Sequence, residues 1–177
     1  GPANMILLVA GSKFGFKKSL PFVLGIILSK QFIIWPIGFG IITFFEYFPT
    51  MTNFIKGISI IYIVWLAWKL SNFKIAANSN LIKAPSFFYG LPVHPTNPKA
   101  WAMVSVSFTS YTNVDQGQLT STLTVAIVFI IVQLVFHNLW CYFGGQLKER
   151  FQGTKFEIWL MRFLSILMLG SLFLLLL

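Results

Sequence analysis

Apolar residues along this chain come in long blocks separated by short polar breaks. The blocks run Pro2–Ala10, Leu20–Phe45, Phe54–Leu70, Ser86–Tyr111, Leu119–Gly144 and Phe156–Leu177. Several exceed the roughly 20 residues that a helix needs to cross a hydrocarbon core of about 30 Å. Strands of a membrane barrel would alternate in polarity over about ten residues, and these blocks are continuous. The pattern predicts an all-α integral membrane protein, multi-pass, forming a single transmembrane domain over residues 1–177.

The breaks alternate in charge. Ser12–Ser19 holds Lys13, Lys17 and Lys18; Lys69–Ala84 holds Lys69, Lys74 and Lys83; Gln146–Lys155 holds Lys148, Arg150 and Lys155. Between them, Glu46–Asn53 and Thr112–Gln118 lack Lys and Arg, and each carries an acid, Glu46 or Asp115. Under the positive-inside rule the basic breaks are cytoplasmic and the acidic ones, with Leu177, face outward. Aromatic residues near span ends (Phe45, Tyr47, Phe48, Trp68, Phe73, Tyr111, Tyr142, Phe143) fit an interfacial belt.

Composition narrows the class further. Of 177 residues, 56% are hydrophobic and 10% charged, against about 25% charged in soluble proteins. That excludes a soluble enzyme, a secreted disulfide scaffold and a disordered tail. The net charge of +9 does not indicate nucleic acid, because the cations sit in the breaks and form no basic face. The single cysteine, Cys141, has no partner for an internal disulfide.

Two places interrupt the blocks in a related way. Pro2–Ala10 is too short to span, starts from Gly1-Pro2-Ala3-Asn4 and lacks the basic region of a signal peptide. It is read as the later part of a helix whose earlier part precedes residue 1, although tag removal also leaves a Gly-Pro start. Asn97-Pro98-Lys99-Ala100 interrupts the fourth block, with Pro92 and Pro95 upstream. By the charge pattern the first run heads inward and the fourth outward. Paired broken helices in oppositely oriented halves point to an inverted repeat with a binding site at the midplane. The expectation is a six-helix bundle in the intact protein, about five and a half spans here. Its half-repeats are 1–70 and 86–177, joined by a cytoplasmic linker, 71–85.

With these features the chain resembles the lysine exporter (LysE/RhtB) family of amino-acid efflux proteins. Gly1-Pro2-Ala3-Asn4 is similar to the end of that family's first-helix break. Gly11, Gly15, Lys17, Lys18 and Gly25 fit its basic loop and second span, while Ser19 and Ser29 stand where glycine is usual. Tyr62, Trp65, Leu66, Trp68, Lys69 and Leu70 follow the end of its third span, with Ala67 in a glycine place. Gly90 followed by Asn97-Pro98-Lys99-Ala100-Trp101 matches its fourth; the last two spans agree only in character. The resemblance implies secondary-active export of amino acids or related small metabolites across the bacterial inner membrane, driven by the proton-motive force. The alternative is a non-transporting remnant or a structural membrane subunit.

The candidate substrate-binding residues are Asn4, Asn97, Pro98, Lys99, Lys30 and His137; the helix breaks are Gly1, Pro2, Pro92, Pro95 and Pro98. Proline forces the helix open, and backbone groups freed at membrane depth must face protein or water. The half-helix starting near Lys99 would then aim its positive end at a substrate carboxylate; the competing reading is a tolerated kink. Lys99 is costly in lipid, so it either lines the cavity or snorkels. Lys30 lies about 15 Å into its block and departs from the family pattern; with Gln31 it is a second cavity candidate. His137 suits a proton relay or an ordinary hydrogen-bonded interior role. His137 and Cys141 are one turn apart, but with His94 alone besides them no metal site is expected, and no cofactor. Four acids and two histidines form no constellation for catalysis, so the chain is not read as an enzyme. Its expected partners are a small-molecule substrate and lipid, without nucleic acid; a homo-oligomer is left open.

Overall fold

The computed structural model describes residues 1–40, 49–74, 84–112 and 117–176. Glu46, Asp115, Lys83, most of the 71–85 linker and the aromatics Phe45, Tyr47 and Phe48 lie outside the described residues. The described elements are all helices: α1 (Pro2–Phe14), α2 (Phe16–Ser29), α3 (Gln31–Gly38), α4 (Pro49–Ser71), α5 (Phe87–Gly90), α6 (Pro98–Tyr111), α7 (Gln118–Phe151) and α8 (Lys155–Leu176). By length and composition, Phe16–Gly38 (23 residues) and Gln118–Phe151 (34 residues) can cross a membrane, and Ile60–Ser71 is a shorter apolar helix. At about 1.5 Å per residue, α7 outruns a core of about 30 Å. Its last turn, with Lys148 and Arg150, therefore has length to reach water.

Two elements differ from the block pattern. The basic stretch Ser12–Ser19 reads as a loop in the sequence, yet only Gly15 leaves the helix, at φ 81°. That dihedral is strained for a residue with a Cβ, so one glycine turns the chain and its neighbours stay helical. Ser19 Oγ donates across the corner to the Ala10 carbonyl (3.2 Å) and to Gly15 (2.9 Å). The second block, Leu20–Phe45, reads as one helix but divides at Lys30. Ser29 Oγ donates back to the Ile26 carbonyl at 2.7 Å, and the Lys30 N–H bonds Leu28; such back-bonding bends helices.

Three apolar clusters hold the helices together. Met5 and Leu8 of α1 pack with Ile63, Ala67 and Leu70 of α4 and with Met161, Leu164 and Met168 of α8. The opposite side of α1, through Ala3, Leu7 and Ala10, meets Phe22, Val23, Ile26 and Ile27 of α2 together with Val93 and Cys141. Ile33, Ile34 and Ile37 of α3 join Ala100 and Val104 of α6 and Val125 and Ala126 of α7.

Two crossings are so close that only glycine fits. A Cβ on Gly11 would overlap the Cys141 backbone, and one on Gly144 would overlap the Leu8 carbonyl; these fix α1 against α7. A Cβ on Gly25 would overlap the Phe87 carbonyl, and one on Gly90 would lie 2.6 Å from the Ile26 nitrogen; these fix α2 against α5. Between α7 and α8, Glu157 caps the corner by accepting from the Gly153 N–H at 2.7 Å.

Candidate functional site

The site is built around the interruption of the fourth block. After the single turn of α5, residues 91–96 run through successive turns before α6 begins at Pro98. Proline suits that first helical position because its missing N–H would have no intrahelical partner. Asn97 adopts an extended conformation (φ −109°, ψ 109°) and its Oδ1 accepts from the Lys99 N–H at 3.1 Å, capping the helix. Polar groups in the opening find local partners. The Thr96 N–H donates to Pro92 (3.1 Å) and the Asn97 N–H to His94 (2.9 Å). Thr96 Oγ1 donates to the Pro92 carbonyl (2.7 Å), and Trp101 Nε1 to that of Pro95 (2.9 Å). The break is thus a defined structure in which polar groups are paired locally.

The break lies against the start of α1. A Cβ on Gly1 would come 3.8 Å from Lys99 Cδ, so the two proline-led helix starts, Gly1-Pro2 and Asn97-Pro98, are neighbours. Pro2 and Pro98 each stand in the first turn of their helices.

Between these starts and α7 lies a cavity of about 250 Å³. Asn4, Lys30, Asn97, Lys99 and His137 all line it, together with Gly1, His94, Gln133 and an apolar wall that includes Met103, Phe129 and Phe136. Pro98, Pro92 and Pro95 shape the opening but do not line the cavity. Gln31 also stays out of it, donating from Nε2 to the Ala126 carbonyl of α7 at 3.4 Å.

Lys30 reaches the cavity because the α2–α3 break falls at that residue. It is 5% exposed, its Nζ lies 3.7 Å from Met103 Sδ and 4.3 Å from the centroid of the Phe129 ring. Both contacts are soft: a thioether and the negative face of an aromatic ring. Lys99, half-buried, lines the same cavity. No Asp or Glu is among the described residues that line the cavity.

Two lining groups escape a reading of the sequence. His94, in the turns between Pro92 and Pro95, and Gln133 of α7 are both 4% exposed, and Gln133 Nε2 lies 2.8 Å from His94 Nε2. With the amide donating, His94 Nε2 accepts and the ring proton sits on Nδ1. His94 stacks on His137 with centroids 5.7 Å apart and 21° between planes. His94 Nδ1, His137 Nδ1 and Gln133 Oε1 have no hydrogen-bond partner among the described residues. Buried polar atoms are nearly always paired with protein or water, and these three face one cavity. Gln133 was discoverable: it precedes His137 by four residues and so shares its helix face. His94 carried no such signal. Among the described residues no three metal-ligating side chains cluster.

A family model described as LysE type translocator matches residues 1–177. Among curated proteins and among solved structures, none matches the chain.

Proposed function

Because the chain belongs to the LysE type translocator family, we propose that it is a secondary-active exporter of an amino acid or related small metabolite across the bacterial inner membrane. The observation that carries this reading is the single cavity onto which Asn4, Lys30, Asn97, Lys99 and His137 converge. A substrate carboxylate would sit at the start of α6, where the positive end of the helix and the Lys99 ammonium both favour an anion. Transport would proceed by alternating access without covalent chemistry, with the proton-motive force as the driving force that the family resemblance implies.

The packing supports the six-span inverted repeat. Exchanging the halves 1–70 and 86–177 pairs α1 with α5–α6, α2–α3 with α7, and α4 with α8. The exchange turns the α1–α7 crossing into the α2–α5 crossing, and both are made by glycine against backbone. It turns the α4–α8 packing of the first cluster into itself. Two halves related in this way would alternate access to the cavity between them by bending where their helices are interrupted.

The test is Lys99→Ala. A charge-assisted hydrogen bond is worth about 1.5–3 kcal/mol, so its loss should weaken export roughly 10- to 150-fold at about 1.4 kcal/mol per decade. Removing an intramembrane charge should leave insertion unharmed. Intracellular amino-acid accumulation after dipeptide feeding, in an exporter-deficient bacterium expressing the gene, gives the readout. A variant inserted at the parental level and exporting as well as the parent defeats the carboxylate role. A variant absent from the membrane makes Lys99 a structural residue.

A further inference from the structure

We infer that the substrate is a small dicarboxylate, an acidic amino acid or an organic diacid, with one carboxylate held at Lys99 and the second at Lys30. The inference rests on the exporter reading and adds the charge of its cargo.

The cavity holds two lysines and, among its described lining residues, no acid. Lys30 is the decisive group. The residue is 5% exposed, and among the described residues its ammonium meets a sulfur and an aromatic face. A buried cation normally has an anionic partner. The chain contains four acids in all. Glu149 and Glu157 sit at the α7–α8 corner, Glu157 bound to the Gly153 N–H, and Glu46 and Asp115 lie outside the described residues. Among the described residues no acid meets Lys30, so its counter-charge is sought in the ligand.

Substrate charge then sorts the candidates. A basic amino acid would bring additional positive charge to two lysines with no carboxylate beside them. A neutral amino acid would satisfy one lysine and leave the other buried and unpaired. A dicarboxylate neutralises both. The orphan atoms fit as well: with the Gln133 amide donating to His94, the His94 Nδ1–H can donate to a carboxylate oxygen and Gln133 Oε1 can accept from the amine of an acidic amino acid. A volume of about 250 Å³ admits a four- or five-carbon diacid.

The experiment is counterflow of radiolabelled L-aspartate, succinate, L-alanine and L-lysine in proteoliposomes containing the purified full chain. Aspartate or succinate should exchange at least tenfold faster than alanine or lysine. Aspartate alone identifies an acidic amino acid; succinate as well identifies diacids in general. Lys30→Met should lower dicarboxylate exchange at least tenfold and narrow its ratio to alanine, while Lys30→Arg, which keeps the charge, should restore that ratio. Preference for alanine or lysine overturns the inference and leaves the exporter reading intact. Exchange of none of the four overturns both. Should Lys30→Met fail to reconstitute, the parental ratio of the four substrates decides alone.

Discussion

Replacing Gln133 with leucine removes the partner of His94 Nε2 while keeping an apolar side chain of similar reach on α7. Both residues are 4% exposed and 2.8 Å apart in the cavity wall. Leaving a buried polar atom unpaired costs about 1–3 kcal/mol. The reverse change, His94→Phe, keeps a ring to stack on His137, 5.7 Å away, but strips the last bond from Gln133, whose Oε1 is already unpaired. Each single variant should therefore lose about 1–3 kcal/mol. The double variant should lose less than the sum, since removing both polar partners leaves no orphan.

The coupling expected is that of an intramembrane hydrogen bond, about 0.6 kcal/mol and at most about 1.7. At about 2–4 °C per kcal/mol for a chain of this size, each single variant should melt about 2–12 °C below the parent. Unfolding can be followed in detergent with a dye that fluoresces on reacting with thiols, because Cys141 is the chain's one cysteine and is fully buried. If the two losses add to within about 0.3 kcal/mol, the sites are independent and the His94–Gln133 bond is refuted.

Gly144→Ala should destabilise by about 1–3 kcal/mol through overpacking, because the new Cβ would meet the Leu8 carbonyl and lie 2.9 Å from the Ser12 nitrogen, neither of which can move alone. Gly170→Ala, where a Cβ meets nothing within 4 Å, should be neutral or stabilising by about 0.5–1 kcal/mol; equal losses in thermal unfolding would contradict the close crossing. Asn97→Ala should cost about 0.5–2 kcal/mol by uncapping α6, and its export should fall while it still reaches the membrane. Full export by that variant would remove the capped break from the site.

What the sequence displayed, and what it hid, divides along physical lines. The break at Asn97-Pro98 was legible because proline lacks an N–H and asparagine caps, both properties of single residues. Asn4, Lys99 and His137 could be nominated because polar side chains inside apolar blocks need a reason to be there. Family membership was legible from the glycine and proline spacing, and the family match over residues 1–177 bears it out. The break at Lys30 was not, since its visible cause is the Ser29 hydroxyl turning back on Ile26, a choice of rotamer that leaves no pattern. The helical course of Ser12–Ser19 was hidden for the converse reason: lysine and serine occur in helices and loops alike. His94 pairing with Gln133 joins residues 39 apart, and only the fold brings them together.

The position of Lys30 relative to the two glycine crossings gives the proposed mechanism its geometry. Gly11 and Gly144 lock α1 to α7, and Gly25 and Gly90 lock α2 to α5, so each crossing ties an element of one proposed half to an element of the other. Close backbone contact resists sliding. The compliant places are where helices are interrupted: Gly15, Lys30 and residues 91–96. Two of these three, Lys30 and the 91–96 turns with His94, contribute side chains to the cavity wall. A bend at either would move the Lys30 ammonium relative to Lys99 and the His94–His137 stack without disturbing the glycine crossings. A ligand that bridges Lys30 and Lys99 would therefore bind one bend angle better than another, and a difference in affinity between two states is what lets a ligand shift them.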